Sequence, residues 1–155
     1  MKKVIVIPNS LSEDVCKSAS DLANSCQSDF NFYVLPPIDE KGNPFKNQTL
    51  NFRDGLNFLN NKRNRFGYDN EDLMLSFYNG FLCAPEYGLG NLFAAGSRYD
   101  EQPPCTGIIS LNYLNWEVLE EKYNYEVQKH SILHLMICGV VLTHILKLIW
   151  KRMDA

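Results

Sequence analysis

Lys3–Ile7 reads as a strand whose Val4–Ile7 is an apolar, β-branched run, the pattern of a strand buried on both faces. Ser10-Leu11-Ser12-Glu13 follows with the spacing of a capping box, Ser10 as the cap and Glu13 three residues on. Leu11, Val15, Leu22, Ala23 and Cys26 then share one helical face, which predicts a first helix ending near Cys26. Phe30–Leu35 is rich in aromatic and β-branched residues and stops at Pro36-Pro37, so it predicts a second strand. Strand, helix and strand within the first 35 residues make a βαβ unit, whose strands run parallel.

The next segment, Ile38–Asn70, is polar and rich in asparagine. Phe52, Leu56 and Leu59 stand at helical spacing and predict a short helix within residues 50–62. So long a connection is commonly functional or hides a further element. Asp72–Tyr78 predicts a third strand, and Gly80–Gly90 reads as turns. Asn91–Ala95 and Gly107–Leu111 read as two more strands around the polar turn Gly96–Pro104, where Pro103-Pro104 disfavours helix. Tyr113–Tyr123 is a short helix or irregular lead-in, and Asn124–Lys151 a long terminal helix. The expected fold is therefore α/β (α+β): a mixed sheet of about five strands with a βαβ start and a long C-terminal helix packed on one face.

At 155 residues this is one domain, residues 1–155, large enough to bury an ordinary core. With 45% hydrophobic and 21% charged residues the composition is that of a soluble globular protein, which excludes disorder, collagen and coiled coil. The net charge of −3 lacks the basic surplus of a nucleic-acid binder. The clusters Lys62, Arg63, Arg65 and Lys147, Lys151, Arg152 read as solvated helix and loop ends. Five cysteines, an odd number with wide spacings and no CxxC, point to free thiols and a reducing cytosol. The stretch Ser131–Trp150 has the length of a membrane span, but His134, Thr143, His144 and Lys147 interrupt it. It reads as a core helix, with a membrane-docked or partner-bound helix 131–150 as the alternative.

One constellation carries chemistry. His130 and His134 stand four residues apart on the terminal helix, so their imidazoles lie one turn apart on one face. That is the spacing by which an HExxH helix presents two rigid ligands to zinc. In the active motif the residue after the first histidine is a glutamate, the general base; here it is Ser131, which has no carboxylate. A catalytic zinc takes at least three protein ligands. Cys138, about 6 Å beyond His134 along the axis, and Glu126, one turn before His130, are the candidates for the third. His144 lies about 21 Å from His130 and could return only if the helix broke at Gly139. The alternative is that the histidines are packing residues of a core or interface, the commoner fate of a lone HxxxH. Tyr113 and Trp116, with Tyr123 and Tyr125, either line a binding groove or pack in the core. Gly88-Leu89-Gly90 opens no helix and is no dinucleotide fingerprint.

In layout the chain resembles the metzincin clan of zinc peptidases, most nearly the archaemetzincin-like proteins. The resemblance is carried by the βαβ start, then Asn91-Leu92-Phe93-Ala94-Ala95-Gly96, Thr106-Gly107-Ile108-Ile109-Ser110-Leu111 and the His130–His134 helix in succession. The family pattern HExxHxxGxxH is matched only at His130 and His134. Ser131, Ile137 and Val140 stand at the base, glycine and third-ligand positions. The resemblance thus implies the fold and two ligand positions, with the activity lost: a pseudoenzyme that binds a protein or peptide partner and carries either no cofactor or zinc. The alternatives are a zinc-dependent hydrolase using His130, His134 and Cys138 or Glu126, and a module that docks through the helix 131–150. No nucleic-acid partner is expected, a membrane is disfavoured, and the expected location is cytoplasmic.

Overall fold

The computed structural model describes residues 2–8, 13–69, 71–92, 94–97, 105–111 and 125–141. Its centre is a five-stranded mixed sheet built from β1 (Lys2–Ile7), β2 (Phe30–Val34), β4 (Leu73–Tyr78), β7 (Ala94–Gly96) and β8 (Thr106–Ser110). Their order is β2-β1-β4-β8-β7, with four parallel strands and β7 antiparallel to β8 at the edge. β4 lies in the middle and every residue of it is buried, which is why Leu73–Tyr78 reads as a continuous apolar run broken only by Ser76.

Three α-helices flank this sheet among the described residues: α1 (Glu13–Cys26), α2 (Phe52–Phe66) and α3 (Tyr125–Val140). Alternation along the strands sends their side chains to two cores. Val4, Val6, Leu73, Leu75 and Phe77 pack with α1 and α3 on one face. Ile5, Ile7, Met74 and Tyr78 pack with Leu56 and Leu59 of α2 on the other. The expected βαβ start and the packing of the late helix on one face are both present. Among the described residues no helix is long and apolar enough to cross a membrane.

The polar middle of the chain holds more structure than its pattern shows. A second, three-stranded sheet of order β3-β5-β6 is formed by β3 (Thr49–Asn51), β5 (Phe81–Ala84) and β6 (Leu89–Leu92). β5 and the first two residues of β6 lie in the segment read as turns. The strand expected over Asn91–Ala95 is divided instead: Asn91 and Leu92 end β6, and Ala94 begins β7 of the main sheet. The buried face of α1 also differs from the expected one. It is Val15, Cys16, Ala19, Ser20 and Ala23, while Cys26 is exposed. The Ser10 cap lies outside the described residues.

Helix α2 starts and stops where its residues dictate. The Asn51 side chain accepts from the Arg53 amide at 2.9 Å, and Asp54 complements the dipole of the first turn. Gly67, at φ 73°, ends it in the left-handed conformation. Lys62 and Arg63 near that end are not solvated. Lys62 is buried over the Phe58 ring and pairs with Glu40. Arg63 is completely buried. One of its terminal nitrogens donates to the carbonyls of Asp69 and Asp72, both at 2.6 Å. The other donates to Thr106 Oγ1 at 3.1 Å and to the Cys105 carbonyl at 3.4 Å. Removing this donor takes a hydrogen bond from the buried Thr106 hydroxyl and from the part-buried carbonyls of Asp69 and Asp72. Arg63→Met is expected to cost about 3 kcal/mol of unfolding free energy, measured by urea denaturation.

Tyr78 clamps the far end of β4. Its hydroxyl donates to the Asn47 carbonyl at 2.5 Å. A Cβ at Gly80 would lie 2.4 Å from that hydroxyl oxygen, so only glycine fits the turn there. Burial, with a further push from Cys83, raises the Tyr78 pKa to about 12 from an ordinary 10.0. The folded protein therefore holds this proton more tightly than the unfolded chain does. The stabilisation is whole below about pH 10 and is lost as pH rises from about 10 to 12. Stability measured across that range should fall more steeply in the wild type than in Tyr78→Phe.

Candidate metal-site helix

Helix α3 lies against α1 and over β4 and β8. Ile132, Leu135, Met136 and Val140 face inward. Gly139 is what lets the helix sit so low: a Cβ there would come within 3.0 Å of both Leu75 methyl carbons and 3.2 Å of Ile109 Cδ1. The helix runs unbroken through Gly139 to Val140, so this glycine is a packing residue and not a hinge. His144 lies outside the described residues.

His130, His134 and Cys138 form one exposed line along α3, with the half-exposed Ile137 and Val141 beside it. The spacing thus places both imidazoles on one surface, one turn apart. Their exposure disposes of the core-packing explanation. The same geometry limits what the line can hold. His130 and Cys138 are two turns apart, about 12 Å along the axis, too far to share one ion. Among the described residues no three histidine, cysteine or carboxylate groups come together as a metal site. Two imidazoles fall short of the three protein ligands of a catalytic zinc, so the described residues do not by themselves complete the centre. The side chain of Glu126 lies outside the described residues, as do Tyr113 and Trp116. Ser131, half-buried, occupies the position next to His130 where a base would stand.

The edge of the main sheet lies beyond β8. Among the described residues β7 is the outermost strand, and it consists of Ala94, Ala95 and Gly96. Its inner side pairs with Ile109, Ile108 and Gly107 of β8. Ser97 closes that pairing, its amide donating to the Thr106 carbonyl at 2.8 Å and its hydroxyl accepting from the Thr106 amide at 3.0 Å.

The fold matches solved structures. Over 92% of this chain and 72% of the other, the fold superposes on archaemetzincin from Methanopyrus kandleri with a TM-score of 0.58 and 12% identity. The fold is archaemetzincin-like. A zinc-dependent peptidase from Methanocorpusculum labreanum gives a TM-score of 0.53 and 16% identity over 84% of this chain and 74% of that one. No family model and no curated protein matches the sequence. At these identities the likeness concerns the architecture, and the chemistry must be argued from this chain's own residues.

If the histidines serve a surface and not the core, losing one leaves the fold intact. His134→Ala should change stability by no more than about 0.5 kcal/mol. Gly139→Ala, which forces the helix off Leu75 and Ile109, should cost about 1–3 kcal/mol. Thermal and urea unfolding of the two variants side by side measures both.

Proposed function

We propose that this chain is a metalloprotease-like domain that holds a protein or peptide segment without cleaving it, the segment adding as a strand along the outer edge of β7. The reading rests on Ser131. On an HExxH helix the residue after the first histidine is the carboxylate that takes the proton of metal-bound water. A serine hydroxyl is no base near neutral pH, so this chain lacks that proton acceptor at that position.

The sheet edge supports the binding half of the reading. Natural edges are commonly guarded by charge, proline or a bulge. Ala94-Ala95-Gly96 carries neither a charge nor a proline, and its small side chains let another backbone approach. Main-chain hydrogen bonds would then supply affinity, and neighbouring side-chain pockets selectivity. All five cysteines are free, which supports a reducing compartment such as the cytosol.

The exposure of His130 and His134 favours a second reading, a zinc-dependent hydrolase whose remaining ligands differ from the usual set. Elemental analysis of tag-free protein, followed by incubation with a fluorogenic peptide mixture with and without a chelator, separates the two. The expected outcome is no chelator-sensitive cleavage, together with slowed amide exchange in Ala94–Gly96 when peptides selected by display are bound. About one zinc per chain, lost in His134→Ala and accompanied by chelator-sensitive cleavage, would establish the hydrolase and overturn the binding module.

A further inference from the structure

The α2 face of the sheet, opposite α3, carries a cavity of about 590 Å³ that the peptidase-like layout leaves without a role. Its place in the topology is distinctive. β1 leads through α1 to β2 on one side, whereas the chain returns through α2 to β4 on the other side of β1. β1 and β4 stay paired through Ile7 and Ser76, but the chain leaves β1 toward the α1 face and leaves β4 toward the α2 face, so their carboxyl ends form a topological switch point, where open parallel sheets hold their ligands. Ile7 and Pro8 at the end of β1, and Ser76 and Asn79 at the end of β4, line the cavity there. The volume lies within the usual range for small-molecule sites.

The walls are preformed. Phe45 and Phe58 stand 5.8 Å apart between ring centroids, and Phe45 meets Tyr78 edge-on at 6.0 Å. The Asn43 carboxamide fixes the connection that carries Phe45, donating to the Ile38 carbonyl at 2.9 Å and accepting from the Phe45 amide at 2.9 Å. Lys46 and Asp39 pair at the mouth. Ser76 brings a hydroxyl: it shares the α2 face of β4 with Met74 and Tyr78 and is almost wholly buried. A hydroxyl offers one donor and two acceptor positions.

These features select the ligand. A phosphate at a switch point is gripped by successive amide N–H groups of a glycine-rich turn. Here β1 runs into Pro8 and β2 into Pro36-Pro37, none of which has an N–H, and no glycine follows β1 before the first helix. The charges at the mouth already neutralise each other. We infer that this cavity binds a small, uncharged aromatic molecule bearing a hydroxyl or amide group, its ring against Phe45, Phe58 and Leu59 and its polar group on the Ser76 hydroxyl.

Phenol and toluene differ by the one group that matters and serve as probes. Each is titrated into isotopically labelled protein and followed by NMR chemical shifts, with inorganic phosphate alongside. Phenol should shift resonances of Ile7, Phe45 and Phe58 and bind roughly three- to tenfold more tightly than toluene, the worth of one hydrogen bond. Ser76→Ala should erase that preference while toluene still binds. Ile38→Trp, which fills the mouth, should remove both. Failure of both probes to bind the wild type, a preference that survives Ser76→Ala, shifts unaffected by Ile38→Trp, or phosphate binding in their place would each overturn the assignment.

Discussion

One guanidinium ties the end of α2 to the starts of two adjacent strands. Arg63 reaches the carbonyls of Asp69 and Asp72 just before β4, and the Cys105 carbonyl and Thr106 hydroxyl at the start of β8. The backbone bends to meet it. Cys105 takes φ 52°, a conformation that costs a non-glycine residue about 1–2 kcal/mol. Its carbonyl thereby accepts from the Met74 amide as well as from Arg63. Burial lowers the pKa of the guanidinium, and Cys105, Asp72 and Asp69 act in the opposite sense. With four acceptors around it the arginine is a hydrogen-bonded fixture of the interior and not a stranded charge. Because Phe58 and Leu59 lie about one turn back along the same helix, fixing Arg63 also fixes one wall of the cavity.

Much of the architecture was legible because its strongest signals are local. Val4–Ile7 and Leu73–Tyr78 are apolar beyond what any exposed segment carries, and Phe52, Leu56 and Leu59 mark α2 by period alone. The second sheet was not legible for an equally physical reason. Thr49-Leu50-Asn51 buries a single side chain, and Phe81–Ala84 leaves Phe81 half-exposed among glycines and prolines. Strands so short are defined by partners distant in sequence and not by their own pattern. Lys62 and Arg63 mislead in the same way. A charged residue at a helix end reads as solvated, and what buries Arg63 is a set of acceptors that includes Thr106, 43 positions away.

The candidate site divides along the same line. HxxxH spacing alone placed His130 and His134 on one surface, as the helix confirms. Which surface was not legible, because α3 is apolar around most of its circumference, with Leu133 and Ile137 outside the fully buried stripe. A helix like that gives no period from which to choose a buried face. The choice is made by Gly139, whose missing side chain admits Leu75 and Ile109 and so turns the imidazoles outward. The glycine thus acts on the site through packing, a role invisible in a sequence where it looked like a hinge.

The two faces of the sheet then carry different kinds of chemistry. On the α3 face the recognisable feature is the exposed pair His130 and His134, with Ser131 next to the first. On the α2 face the long asparagine-rich connection, which looked like surplus loop, folds Phe45 and Asn43 over the ends of β1 and β4. The packing that shapes the second face draws on none of His130, Ser131 and His134. The archaemetzincin-like scaffold is held by Arg63, Gly139 and the two cores, and neither His130 nor His134 belongs to either core.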